Sequence, residues 1–274
     1  MRFSTDRHSQ ESGVSESIGF LLIFTLVIVG IGLVTLYGYP MLMQQQVSAD
    51  EQIMEKNMIV LQNDMKSLAY KTVPYKETSL KIGGGSLAVY NAGISPAIMT
   101  ISVSDDAMNT YVDSFRSGDL RYESVSARTD VSLQNGAVVM RDRLGQGSTM
   151  LAEPRWFYDS TANTMVINLI AINSTGIMSR TGIGTVQMVS GEGEYAYYTV
   201  PAGVGIFVDY TPDTNSDADM RADFSTAWHN YFINTMNMEQ VSSSGDTVTY
   251  KLPADPARPT TLVIKKYEIR ITSL

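Results

Sequence analysis

Ile18-Gly-Phe-Leu-Leu-Ile-Phe-Thr-Leu-Val-Ile-Val-Gly-Ile-Gly-Leu-Val-Thr-Leu-Tyr37 is the stretch on which the reading of this sequence turns. From Ser17 to Ala49 there is no Asp, Glu, Lys or Arg. An α-helix rises about 1.5 Å per residue, so about 20 apolar residues cover the roughly 30 Å of bilayer hydrocarbon. A helix of a soluble domain keeps a polar face, and this run has none, so it is expected to cross a membrane rather than fill a core. An ordinary secretory signal has a shorter apolar region followed by a small-x-small cleavage site. Here the run ends in Tyr37-Gly-Tyr-Pro-Met-Leu-Met43, so removal after the helix is not expected. Arg2 and Arg7 precede the helix and the next basic residue is Lys56. That asymmetry orients a single-pass protein with its N-terminus in the cytoplasm and its C-terminal bulk outside.

Ahead of the apolar run stand a short polar stretch, Met1 to Gly13, and then Val14-Ser-Glu-Ser-Ile-Gly19. This arrangement resembles the class III leader of archaeal type IV pilins and archaellins. The resemblance implies cleavage by a prepilin peptidase between Gly13 and Val14, before the helix. Ser15, Ile18 and Gly19 match the frequent Val-Ser-Pro-x-Ile-Gly pattern, with Glu16 in place of the proline and Ser12 in place of the usual charged residue. Bacterial pilins carry a Glu near the start of the mature chain, thought to pair with the new amino group of a neighbouring subunit. The resemblance implies that assembly role for Glu16; the alternative is that Glu16 reaches the headgroups beside a lone anchor. The implied partners are membrane lipid, a prepilin peptidase, and copies of this chain or other pilin-like subunits through the N-terminal helix.

Past Pro40 a different periodicity begins. Val47, Met54, Leu61 and Leu68 recur every seven residues, and Met58 and Met65 fill the i+4 positions. Asp50, Glu51, Glu55, Lys56, Asp64 and Lys66 occupy the other face. The stripe is expected to dock on the chain's own β-domain, with a seam between subunits as the alternative. Pro40 removes a helix hydrogen bond, and Gly30, Gly32 and Gly38 weaken the helix before it, so a kink or a locally extended stretch is expected near residues 30–40. The organisation read from the sequence is thus a leader (1–13), a transmembrane and amphipathic helix kinked near Pro40 (14–73), and a β-rich domain (74–274).

In that last part β-branched and aromatic residues alternate between Gly, Asn, Asp and Pro, the pattern of many short strands. Expected strands are 86–91, 97–103, 120–125, 137–141, 165–172, 186–190, 194–200, 205–210, 247–252 and 262–271, with hairpins at Asn135-Gly136 and Ser244-Gly245-Asp246. The fold class is α+β, with a sandwich- or barrel-like β-domain. One helix is expected to be inserted at about 216–236, where Met220, Phe224, Trp228 and Tyr231 recur at three- and four-residue spacings. Its aromatic face reads as core, against the alternative of an aromatic ligand site. The Trp-x-x-Tyr-Phe helix in β-rich surroundings is similar to the outer domains of archaeal pilin-like membrane proteins.

The net charge of −8 disfavours nucleic acid, whose binding needs clustered cations. The chain has no cysteine, which excludes disulfides and thiolate chemistry. Its two histidines are His8 and His229, too few for a histidine metal cluster. A Ser-His-Asp site would require His229, and no Gly-x-Ser-x-Gly elbow accompanies it. Gly83-Gly-Gly85 lacks the Gly-Lys-Ser/Thr ending of a phosphate loop and Gly182-x-Gly184 lacks a third glycine, so both read as turns. Asp213, Asn215, Asp217 and Asp219 place oxygens at alternate positions as a calcium loop does. Ala218 and Phe224 stand where that loop needs Gly and Glu, so the run is also an N-capping cluster for the following helix. Asn173-Ser-Thr175 is an N-glycosylation sequon, expected in a loop after an apolar strand. No cofactor and no enzymatic activity are expected. The expectation is a structural subunit, major or minor, of a type IV pilus-like filament, acting in adhesion; the alternative is a single-pass surface protein with a binding domain that does not polymerise.

Overall fold

The computed structural model describes residues 8–71, 73–93, 99–125, 129–143, 145, 147–212 and 223–274, with side chains from residue 17 onward. It divides into two compact units, Met1–Ala49 and Asp50–Leu274.

The first unit is helical. Helix α1 runs His8–Leu33, a π-helical turn occupies Val34–Gly38, and helix α2 begins at Tyr39 and ends at Tyr70 in the second unit. Pro40 cannot donate to the carbonyl four residues back, and its ring crowds that carbonyl. The wider i→i+5 turn just before it rearranges those carbonyls while the backbone stays helical, so no extended stretch forms.

The second unit is mostly β. Its nine-stranded sheet has the order β7 (Ser148–Ala152), β6 (Ala137–Asp142), β5 (Thr129–Gln134), β4 (Asp119–Ser124), β1 (Tyr75–Tyr90), β10 (Met178–Val200), β14 (Thr260–Ser273), β9 (Thr164–Ser174), β8 (Phe157–Asp159). Among the described residues only β14 and β9 pair in parallel. The five-stranded sheet has the order β12 (Glu239–Ser244), β13 (Thr247–Leu252), β11 (Ile206–Pro212), β2 (Met99–Asp105), β3 (Thr110–Arg116).

Two cores follow from strand alternation. On one face of the large sheet Leu80, Leu120, Tyr122, Leu133, Ile170, Ile172 and Ile271 meet Met54, Met58, Leu61, Met65 and Leu68 of α2. The docked alternative for the amphipathic stripe is therefore the one this domain adopts. Each such side chain, taken fully out of water, contributes about 1.5–3 kcal/mol before entropy is counted. On the other face Met165, Ile167, Leu169, Leu262 and Ile264 share a core with Ile101, Val103, Val208 and Tyr250 of the small sheet.

The helix expected at 216–236 is shorter in the described residues. Helix α3 covers Ser225–Asn230, a π-helical turn covers Tyr231–Thr235, and β12 has begun by Glu239; residues 216–222 lie outside the described residues. Trp228 and Phe232 are fully buried, and Trp228 packs 6.1 Å from Tyr210 and 6.2 Å from Trp156.

Two glycine motifs expected as turns are strand features. Gly83-Gly-Gly85 lies inside β1, where the register against β10 shifts between Ile82 and Leu87. Any Cβ on Gly83 would stand 2.5 Å from the Asp50 carboxylate, and Gly84 has φ +64°, so the bulge lets β1 pass close under α2. Gly182 and Gly184 sit within β10 opposite Ile82 and Leu80. The strands expected at 186–190 and 194–200 are one strand, interrupted by a bulge at Gly191-Glu192 in the pairing with β14. At Asn135-Gly136 both φ angles are positive, 47° and 74°, and the expected hairpin joins β5 to β6.

Candidate functional site

The apolar helix presents side chains in all directions. Phe20, Leu21, Leu22 and Ile23 are 72%, 66%, 63% and 65% exposed, and four consecutive positions exceed one full helical turn. A soluble surface does not carry a patch that encircles a helix in this way. The two threonine hydroxyls in the run are satisfied internally: Thr25 Oγ1 donates to the Leu21 carbonyl at 2.7 Å and Thr35 Oγ1 to the Ile31 carbonyl at 2.9 Å. Hydrocarbon demands that arrangement, because it offers no outside partner. The helix is long and apolar enough to cross a membrane once.

Gly13, Val14 and Glu16 fall on helical backbone at the start of α1, and their side chains lie outside those described. Asp213, Asn215, Asp217 and Asp219, the calcium candidates, also lie outside the described residues. Among the described residues no group of three or more His, Asp or Glu could hold a metal ion.

Asn173 belongs to the end of β9 rather than to a loop, opposite Arg270 of β14. Its Nδ2 donates to Glu268 Oε1 at 3.1 Å, so a glycan would have to share that nitrogen with the carboxylate. His229 Nδ1 lies 3.0 Å from the Tyr250 hydroxyl, beside the aromatic core. The Trp228 and Phe232 rings fill that core and leave no room between them for a ligand.

A cluster that no sequence motif signals lies on β4, β5 and β6. Arg121, 2% exposed, donates through Nε to Asp119 Oδ2 at 2.9 Å, and Ser132 Oγ donates to the same oxygen at 2.6 Å. The Tyr90 ring covers the Arg121 guanidinium at 4.4 Å, and the Phe224 ring lies 5.9 Å away. Burial opposes the charge on Arg121, but Asp119, Tyr90 and Glu123 outweigh it and the guanidinium pKa is raised. Next to it Asp130 accepts from Arg141 Nε at 2.7 Å and from Arg143 Nε at 2.8 Å. Both carboxylates are matched by cations, so this belt holds strands together. Alternation of Asp119, Arg121 and Glu123 along β4 was its one sequence signal, and it reads equally well as a solvated face.

These features define a class: an α+β protein that has, among the described residues, one apolar helix of membrane-crossing length and a mostly β domain of two sheets. The chain belongs to the family described as DUF7289, a family of unknown function, whose model matches residues 13–272. No curated protein and no solved structure matches it.

Proposed function

We propose that this chain is a structural subunit of a type IV pilus-like surface filament, released from its leader between Gly13 and Val14 and assembled through its N-terminal helix. The observation that carries the reading is the encircling exposure of the helix from Ile18 to Met43, an apolar surface of the kind that can pass from lipid into a bundle of its own copies. The leader pattern ahead of it supports the same reading, and the family match begins at residue 13, next to the proposed cut. The amphipathic half of α2 is already occupied by the β-domain, which leaves the apolar half for lipid and neighbouring subunits. The N-terminus faces the cytoplasm, and the β-domain, of the sandwich or barrel type, stands outside the cell and acts in adhesion.

A second reading is favoured by the size of the β-domain, two sheets and 14 strands among the described residues, more than a minimal filament subunit needs. In it the chain is a single-pass surface protein that binds through its outer domain and does not polymerise. N-terminal sequencing of filaments sheared from cells separates the two. Filaments containing this chain and beginning at Val14 support the first, recovery from the membrane fraction alone supports the second, and an intact Met1 in either fraction removes the leader assignment.

A further inference from the structure

At the C-terminal end of α2 the large sheet carries a cleft of about 380 Å³ lined by Tyr70, Arg155, Phe157, Tyr195, Lys265 and Tyr267. We infer that it is a binding site for an acidic oligosaccharide, a chain of sugars bearing carboxylates. The inference holds whether or not the chain polymerises.

Three aromatic rings form a continuous wall. Tyr70 meets Tyr267 edge to face at 5.3 Å, and Tyr267 meets Tyr195 edge to face at 6.1 Å. Tyr195 is 59% exposed and Phe157, across the cleft, is 47% exposed, so aromatic surface is presented to solvent instead of being spent on the core. Tyr195 stands directly opposite Lys265 in the β10–β14 pairing, and Lys265 opposite Asn168 in β14–β9, which places rings and cation side by side on rigid strands.

The charge is one-sided. Arg155 and Lys265 both line the cleft, no carboxylate lines it, and neither cation makes a salt bridge among the described residues. Glu153, the acidic side chain nearest Arg155 in sequence, accepts a hydrogen bond from Thr235 Oγ1 at 3.0 Å. In a chain of net charge −8, two unpaired cations in one cleft are a local reversal of sign. Lys66 nearby feels it: burial and then the Arg155 charge hold its pKa below the ordinary lysine value, against the pull of Glu153.

The cleft is also built. Asn168, 4% exposed, donates its Nδ2 to the Arg155 carbonyl, and the buried Trp156 donates Nε1 to the Asn168 carbonyl at 2.6 Å. The segment carrying Arg155 and Phe157 is thereby pinned from below. The Arg155 guanidinium packs 4.9 Å from the Tyr70 ring centre, which orients its planar fork.

Ligand chemistry follows from this pairing of rings and cations. An apolar ligand would leave Arg155 and Lys265 desolvated without partners. A small inorganic anion would use the cations and none of the rings. Nucleic acid needs a row of cations along its phosphates, and the cleft offers two. A sugar offers C–H faces that lie on aromatic rings and hydroxyls for the tyrosine hydroxyls, and a carboxylate on it takes the Arg155 fork.

The test is titration of the full chain in detergent with trigalacturonic acid, read by calorimetry, with maltotriose and a triglutamate peptide as comparators. Saturable trigalacturonate binding is expected, at least tenfold tighter than maltotriose, and weakened at least tenfold by Arg155→Ala and by Tyr195→Ala. Both side chains are exposed, so unchanged circular dichroism is expected in the variants. Absence of saturable binding up to roughly 10 mM trigalacturonate overturns the inference. So does binding that neither substitution affects, which puts the sugar elsewhere. Triglutamate binding as tight as trigalacturonate overturns the ligand class in favour of an acidic peptide.

Discussion

Gln62 Nε2 donates to the carbonyl of Gly136 at 2.7 Å and to that of Glu153 at 3.0 Å, from a position inside the apolar stripe of α2. The two acceptors belong to the β5–β6 hairpin turn and to the segment after β7, so one amide fastens the helix to two loops of the large sheet. Gln62 is 2% exposed, and the Gly136 carbonyl it reaches is a buried backbone group, whereas the Glu153 carbonyl also accepts from Lys66 Nζ at 3.3 Å.

Replacing this amide by an apolar isostere keeps the packing and removes both donors. Gln62→Leu is expected to cost about 1–3 kcal/mol, because the stranded Gly136 acceptor carries a desolvation penalty that a better apolar fit does not return, while Lys66 still serves the Glu153 carbonyl. A lower urea midpoint at unchanged slope, followed by tryptophan fluorescence, is the expected signature. An unchanged midpoint would show that water takes over the Gly136 carbonyl.

Arg121 gives the larger effect. Arg121→Met leaves the Asp119 carboxylate buried beside the Tyr90 ring without its cation, a loss of about 3–5 kcal/mol. The double variant Arg121→Met with Asp119→Leu removes both charges and is expected to recover much of that loss. A double variant as unstable as the sum of the singles would mean the two side chains act independently.

How much of this was legible in the sequence depended on whether a signal was local. The membrane-length helix was readable because charge is absent from every position between Ser17 and Ala49, and the α2 stripe because its period is fixed by helix geometry. β2, with clean alternation, and β9, with a nearly continuous apolar run, were placed within a few residues. β5 was missed because both its faces are buried and its polar members Asp130 and Ser132 are partnered inside, so Thr129–Gln134 reads as a loop. β12, exposed along its whole length, was missed for the opposite reason: Glu239–Ser244 has no apolar face to alternate. The glycines of β1 and β10 were taken for turns because a bulge and a turn use the same residue. The aromatic cleft had a faint trace in Tyr195-Ala-Tyr197, but its other walls come from α2, β8, β14 and the segment before β8, and no single stretch contains it.

Acid sensitivity is expected at the β2–β3 turn. Burial would raise the Asp105 pKa, but the Tyr111 hydroxyl at 2.6 Å, Asn109 at 3.0 Å through its side chain and 2.9 Å through its backbone, and the Ala107 N–H at 2.9 Å overcome it and hold the carboxyl below 3.8. Since the folded value lies below the unfolded one, the stabilisation is complete above the ordinary aspartate range and drains away as pH falls from about 3.8 through the folded pKa. Asp106, held by the Gly205 N–H and by Lys251, titrates in the same sense. Urea midpoints measured from neutral pH downward should fall below pH 4, and Asp105→Asn should be less stable at neutral pH with a shallower acid limb. Equal acid limbs in both proteins would remove Asp105 from the account.

Glu16 tests the assembly reading at its chemical centre. If the leader is cut between Gly13 and Val14, the new amino group lies two residues from a carboxylate at the edge of the apolar helix, where an unpaired charge is costly. In a bundle of helices the carboxylate of one copy and the amino group of the next neutralise each other, whereas a lone anchor lets Glu16 rest among headgroups at little cost. Glu16→Ala is therefore expected to leave leader removal intact, with the mature chain still beginning at Val14, while its recovery in sheared filaments drops at least tenfold. Glu16→Gln should behave like the alanine variant, because the amide keeps the size and polarity and removes only the charge. Filaments of normal yield from both variants would leave the helix as an anchor and assign Glu16 to the lipid interface.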